Sequence, residues 1–110
     1  MATDKETVTY ILDQLTPLPV RARAMFGEYG VYLDEQFVAL ICDDTLFIKP
    51  SVVGEELGEE SWLSSPYPNA KPHYAIPGDR LEDGAWLREF LEATAAALPP
   101  PKPKRPPKVN

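Results

Sequence analysis

Apolar residues recur at Val8, Ile11, Leu12 and Leu15, the i, i+3, i+4, i+7 spacing that lays one stripe along a helix. Thr3 and Glu6 stand ahead of it with the spacing of a capping box. Pro17 and Pro19 close it, because proline lacks the amide a helix needs and its ring clashes with the preceding turn. The pattern predicts a helix over residues 4–15.

From Val20 to Lys49 the period falls to two. Ala22 to Phe26 reads as a first strand, and Gly27 and Gly30 bracket a turn or bulge. Tyr29, Val31 and Leu33 alternate with Gly30 and Tyr32, the pattern of a half-buried strand. After the polar turn Asp34-Glu35-Gln36, Phe37 to Cys42 is apolar throughout, which predicts a central strand covered on both faces. Asp43-Asp44 turns the chain again into a strand at Thr45 to Lys49. Strands this closely spaced form an antiparallel meander.

Ser51 is placed to cap a short helix whose apolar side is Val52, Val53 and Leu57 and whose stop is Gly58. Residues 59–71 read as a loop anchored by Trp62 and Leu63. His73 to Ile76 is a short strand ended by Pro77-Gly78. Asp83 caps a last helix whose broad apolar face is Trp86, Leu87, Phe90, Leu91, Thr94 and Leu98. The order is α-β-β-β-β-α-β-α, an α+β fold with an antiparallel sheet. Residues 1–98 form the domain, and residues 99–110, with six prolines and Val109 as their one large hydrophobe, are expected to be a disordered, extended tail dispensable for folding.

Charge is distributed unevenly. The tail carries Lys102, Lys104, Arg105 and Lys108 and no acid; the whole chain's −6 less the tail's +4 leaves −10 on residues 1–98. An acidic body repels phosphates, which argues against the globular part reading nucleic acid by itself. One cysteine, Cys42, allows no internal disulfide. No apolar run approaches the roughly 20 residues of a membrane span, and residues 1–14 do not read as a signal peptide. The expectation is a cytoplasmic, bacterial protein with no membrane partner.

Three phrases carry a family resemblance. Arg23-Ala24-Met25-Phe26-Gly27-Glu28-Tyr29-Gly30 is similar to an R-x-M-F-G-G-Y-G segment, with Glu28 where glycine is usual. Leu46-Phe47-Ile48-Lys49, following Asp43-Asp44, is similar to D-x-L-Y-L-K, and Tyr74-Ala75-Ile76-Pro77 to Y-x-x-P. In this order they resemble the amino-terminal domain of the TfoX (Sxy) competence regulators, over residues 5–97. The resemblance implies helices on one face of an antiparallel sheet, as in secretion chaperones, and a homodimer. It also implies a role in competence regulation, although the carboxy-terminal domain of the long members does not follow here.

The candidate binding residues are Arg23, Gly27, Tyr29, Gly30 and Lys49. Arg23 offers a planar fork of donors for a carboxylate or phosphate, and Lys49 joins it, or Arg21, if their strands are adjacent. The plainer reading makes Met25, Phe26 and Tyr29 core, and gives Arg23 and Lys49 acidic neighbours. Lys102, Lys104, Arg105 and Lys108 form a second candidate, a basic Pro-x-x-Pro element for a protein groove or for weak nucleic-acid contact. Asp34, Glu35, Asp43 and Asp44 lack the spacing of a calcium loop, so no metal is expected. Cys42 and His73 are the sole cysteine and histidine, and no catalytic or cofactor motif accompanies them, so neither catalysis nor a cofactor is expected. The expected function is regulatory or adaptor binding to another protein. The alternatives are direct nucleic-acid binding aided by the tail, and an enzyme acting on a small anion.

Overall fold

A computed structural model describes residues 3–25 and 28–99. The elements are α1 (Lys5–Leu15), β1 (Val20–Met25), β2 (Glu28–Leu33), β3 (Gln36–Cys42), β4 (Thr45–Ile48), α2 (Gly54–Leu57), a 3-10 turn (Glu60–Trp62), β5 (Leu63–Ser64), β6 (His73–Ala75), α3 (Gly78–Leu81) and α4 (Gly84–Ala97). The expected α+β order holds. The two-residue β5 and the one-turn α3 are additional. The strands form one open antiparallel sheet in the order β1-β2-β3-β4-β6-β5, with β3 near its centre as expected.

The helices lie on one face. Val8, Ile11 and Leu15 of α1 and Leu87, Phe90 and Leu91 of α4 join Val31, Ala39, Ile41, Leu46 and Ile48 of the strands in a single buried cluster. Tyr74–Phe90, Phe90–Trp86 and Trp86–Trp62 make a chain of tilted and edge-on aromatic contacts beneath α4. Arg88 Nη1 donates to the Gln14 carbonyl at 2.9 Å and so ties α4 to the end of α1. Asp83 caps α4 as expected, its carboxylate accepting from the Trp86 amide at 3.1 Å.

Some local expectations fail for identifiable reasons. The Thr3–Glu6 capping box does not form, because the Thr3 hydroxyl is drawn away to the Glu28 carboxylate at 2.6 Å. Asp44 serves the helix start instead, accepting from the Asp4 amide at 2.8 Å and the Thr7 hydroxyl at 3.0 Å. Asp44 sits in a two-residue turn with Asp43, both at positive φ (59° and 50°), the conformation that tight hairpins require. Asp34 and Glu35 make the same kind of turn, so Gln36 belongs to β3 rather than to the turn. Gly30 is not at a bulge. It pairs regularly with Arg23 and Leu40, and the bulge lies in β3, where Val31 faces Ala39 and Tyr32 faces Phe37, leaving Val38 extra. Val52 does not join the core and stays 73% exposed, since α2 begins only at Gly54.

Candidate functional site

Period-two alternation sends half of each strand to the face that no helix covers. On β1 these are Arg21, Arg23 and Met25, opposite Tyr32, Gly30 and Glu28 of β2. The bulge at Val38 reverses the alternation in β3, so that Phe37 joins Leu40 and Cys42 on this face. Phe47 and Ala75 continue it across β4 and β6. A small second cluster results, with Leu40, Cys42 and Phe47 buried and Met25, Phe37 and Ala75 partly so.

What covers this cluster is a loop. Residues 65–72 connect β5 to β6, and Pro66, Tyr67 and Lys71 stand over the sheet, held in part by a bond of 2.8 Å from the Ser65 hydroxyl to the Ala70 carbonyl. Between loop and sheet lies an open groove of about 580 Å³, lined by Met25, Phe37, Leu40 and Cys42 below and by the loop residues and His73 at the side. Lys49 and Lys71 also line it, as does Glu28. The Glu28 carboxylate is already engaged, accepting from the Thr3 hydroxyl and, at 3.3 Å, from the Asp43 amide.

Aromatic and cationic side chains form a row across this face. The Arg21 guanidinium lies 4.7 Å from the centre of the Tyr32 ring, Tyr32 and Phe37 are 5.2 Å apart, and the Lys49 ammonium lies 5.0 Å from the centre of Phe37. Gly30 makes the row possible. A Cβ there would stand 2.9 Å from Phe37 Cε1 and 3.3 Å from Met25 Cε, which lie across β2 at this point. Arg21 has one ion pair, at 3.7 Å with Glu35; both partners are well exposed, so the pair adds little stability.

The charges divide between the two sides of the sheet. Of eleven Lys and Arg residues four lie in 99–110, and of the remaining seven Arg21, Arg23, Lys49 and Lys71 lie on or beside the open face. Twelve of the 17 acids fall on the helices and the segments joining them. At the strand positions of the open face Arg21, Arg23 and Lys49 stand against Glu28 alone, so the middle of that face is cationic and partly aromatic, while Asp34, Glu35, Asp43 and Asp44 lie in the hairpin turns at its ends.

The sequence-predicted residues are distributed as follows. Arg23 and Gly30 face each other across β1 and β2 on the open face. Lys49 follows β4 on that face, but two strands intervene between β1 and β4, so at about 4.8 Å per strand their backbones stand at least about 14 Å apart, and the condition of adjacent strands for a joint anion site is not met. Tyr29 points the other way and packs on the helix-side core. Gly27 and Phe26, and Lys102, Lys104, Arg105 and Lys108, lie outside the described residues. Lys71 and His73, which wall the groove together with Tyr67, are not among the candidate binding residues. The available signal was β3 itself, apolar on both faces in a chain whose helices all pack on one.

The groove's chemistry is that of binding. Burial pushes the Cys42 thiol up from its ordinary pKa, and Glu28 and Asp43 push it further, so the nucleophilic thiolate is disfavoured. His73 is held below the usual imidazole value, first by burial and then by Lys49, while its Nδ1 donates to the Lys71 carbonyl at 2.7 Å. Cys42 pairs with Thr45, and continuing the β4–β6 register puts His73 beside Lys49. The two are therefore four residues along and two strands across, about 13 Å by 10 Å, too far for one to activate the other. Among the described residues no three His, Cys, Asp or Glu side chains gather to hold a metal ion, and no helix is long and apolar enough to cross a membrane.

Comparison with known proteins gives the family of the chain. A protein of Spirochaeta aurantia, described as an uncharacterized 12.7 kDa protein in the trpE 5′ region, is 41% identical over 106 residues, covering 96% of this chain and 91% of that one. The family model of the TfoX N-terminal domain matches residues 11–98, which takes in every strand, the last five residues of α1 and all of α4, and the chain belongs to the TfoX N-terminal domain family.

Proposed function

We propose that the chain is a regulatory binding domain that recognises a partner protein through the helix-free face of its sheet, within the gene-regulatory setting of its family, which is linked to competence. The observation that carries the reading is the concentration of cations and half-buried aromatics on that face of an otherwise acidic domain. Aromatic and arginine side chains dominate the energetics of protein interfaces, and opposite charge speeds and orients association. The partner surface that fits is acidic with an apolar or aromatic anchor.

The second reading, nucleic-acid binding, is less well supported by this face. One side of each ring in the row is already occupied, Tyr32 by Arg21 and Phe37 by Lys49, whereas single strands are bound on free stacking platforms. The body's charge also opposes it. A display selection from a random peptide library on the immobilised protein tests the proposal. Enrichment of sequences pairing Asp or Glu with an apolar anchor is expected. Failure to enrich, or enrichment of basic sequences, contradicts it.

A further inference from the structure

We propose that the groove beneath the 65–72 loop is a binding site for an amphipathic monocarboxylate, of which a medium-chain fatty acid is the simplest representative. The carboxylate lies at the Lys49–Lys71 end and the chain runs over Phe37 and Leu40 toward Cys42. At about 580 Å³ the groove is larger than one anchoring side chain needs and falls within the range of small-molecule sites. From the level of Lys49 to that of Thr45 and Cys42 is four residues of strand, about 13 Å, a span a medium-length alkyl chain can cover.

The polarity of the groove sets the ligand's charge and orientation. Lys49 and Lys71 supply two ammonium groups at one end, and the His73 ring, with Nδ1 committed to the Lys71 carbonyl, lies beside them. The middle is Phe37, Leu40 and Met25, with no partner for a polar atom. At the far end Glu28 has one carboxylate oxygen, Oε1, engaged, and its charge repels a second anionic group. Lysine binds either anion as a point charge, and the apolar floor with Glu28 beyond it favours a ligand with one small anionic end and an alkyl chain, for which a monocarboxylate is the simplest case. The site needs only the groove, whereas recognition of a partner protein needs the whole face, so either survives the failure of the other.

Titration of the intact, isotope-labelled protein with decanoate, below the concentration at which it forms micelles, tests the site by amide chemical shifts. Decyltrimethylammonium serves as the charge-inverted control. Saturable binding is expected, with shifts centred on Phe37, Leu40, Lys49 and His73, and with affinity about tenfold weaker in Lys49→Glu/Lys71→Glu, the scale of a lost charge-assisted hydrogen bond. Should the double variant lose its native spectrum, Lys71→Glu alone, at an exposed position, is expected to weaken binding in the same direction. Binding that does not saturate, equal binding of the cationic control, or affinity indifferent to the charge reversals overturns the proposal.

Discussion

The helix-covered face of the sheet buries Val31, Ala39, Ile41, Leu46 and Ile48 completely, whereas the opposite face leaves Met25, Phe37 and Ala75 only partly covered and rims them with cations. The same six strands supply both faces, so backbone geometry is not the difference. One face meets α1 and α4, whose apolar stripes interlock with it; the other meets a single loop, which leaves a groove. The first face has the close packing that stabilises a fold, and the second has the spare surface and charge that recognition requires.

Cavity-forming substitutions break this comparison most sharply. Ile41→Ala on the covered face is expected to cost about 4 kcal/mol, because the void is sealed, and Leu40→Ala on the open face about 2 kcal/mol, because its void merges with the groove. Urea denaturation of both variants checks the order; an equal or greater loss at Leu40 would mean that the open face is core.

Adding a methyl group sharpens the contrast. A Cβ at Gly54 would stand 2.2 Å from Tyr74 Cε2, a ring wedged against Phe90, so Gly54→Ala is expected to cost about 2 kcal/mol. Gly30→Ala meets the edge of Phe37, which can shift into the groove, and is expected to cost under about 1 kcal/mol by the same measurement. An effect of opposite sign is expected at Thr94 of α4, fully buried with a hydroxyl that has no partner among the described residues. Thr94→Val removes that polar atom at similar shape and is expected to raise stability by about 1 kcal/mol, read as an increase in urea midpoint at unchanged slope.

These residues also show how far the sequence reaches. Long elements with strong periodicity were legible: α1, the β2–β4 meander, α4 and the Asp83 cap follow from spacing alone. The two-residue β5 and four-residue α3 have no period to read, and β5 exists only because His73 and Tyr74 offer it an edge. The Thr3–Glu6 spacing set the cap one residue early: Asp4 is the N-cap, and the Thr3 hydroxyl is taken by Glu28, which is 25 residues away along the chain. For the site, alternation was enough to set Tyr29 on the opposite face from Gly30, but the pairing of Arg23 with Gly30 depends on the β1–β2 register and the separation of Lys49 on strand order. The groove wall depends on how the 65–72 loop folds back, which no local pattern encodes.

The smallest effect expected is a pH dependence on the open face. The folded-state pKa of His73 is lowered, so the unfolded chain binds the proton more tightly. The stability due to neutral His73 is full above the unfolded imidazole value of about 6.5 and is lost as pH falls through it toward the folded value. Between pH 8 and pH 5.5 the wild type is therefore expected to lose slightly more stability than His73→Gln, and a smaller loss in the wild type would reverse the assignment.

The account's central claim is that recognition belongs to the helix-free face. Its most direct test is the amide chemical-shift map of the protein bound to a peptide recovered from the display selection. Perturbations gathered on Arg21, Arg23, Gly30, Phe37, Leu40 and Lys49, with α1 and α4 unmoved, are the predicted result. Perturbations centred on the exposed surfaces of α1 or α4, with those six residues silent, would contradict it.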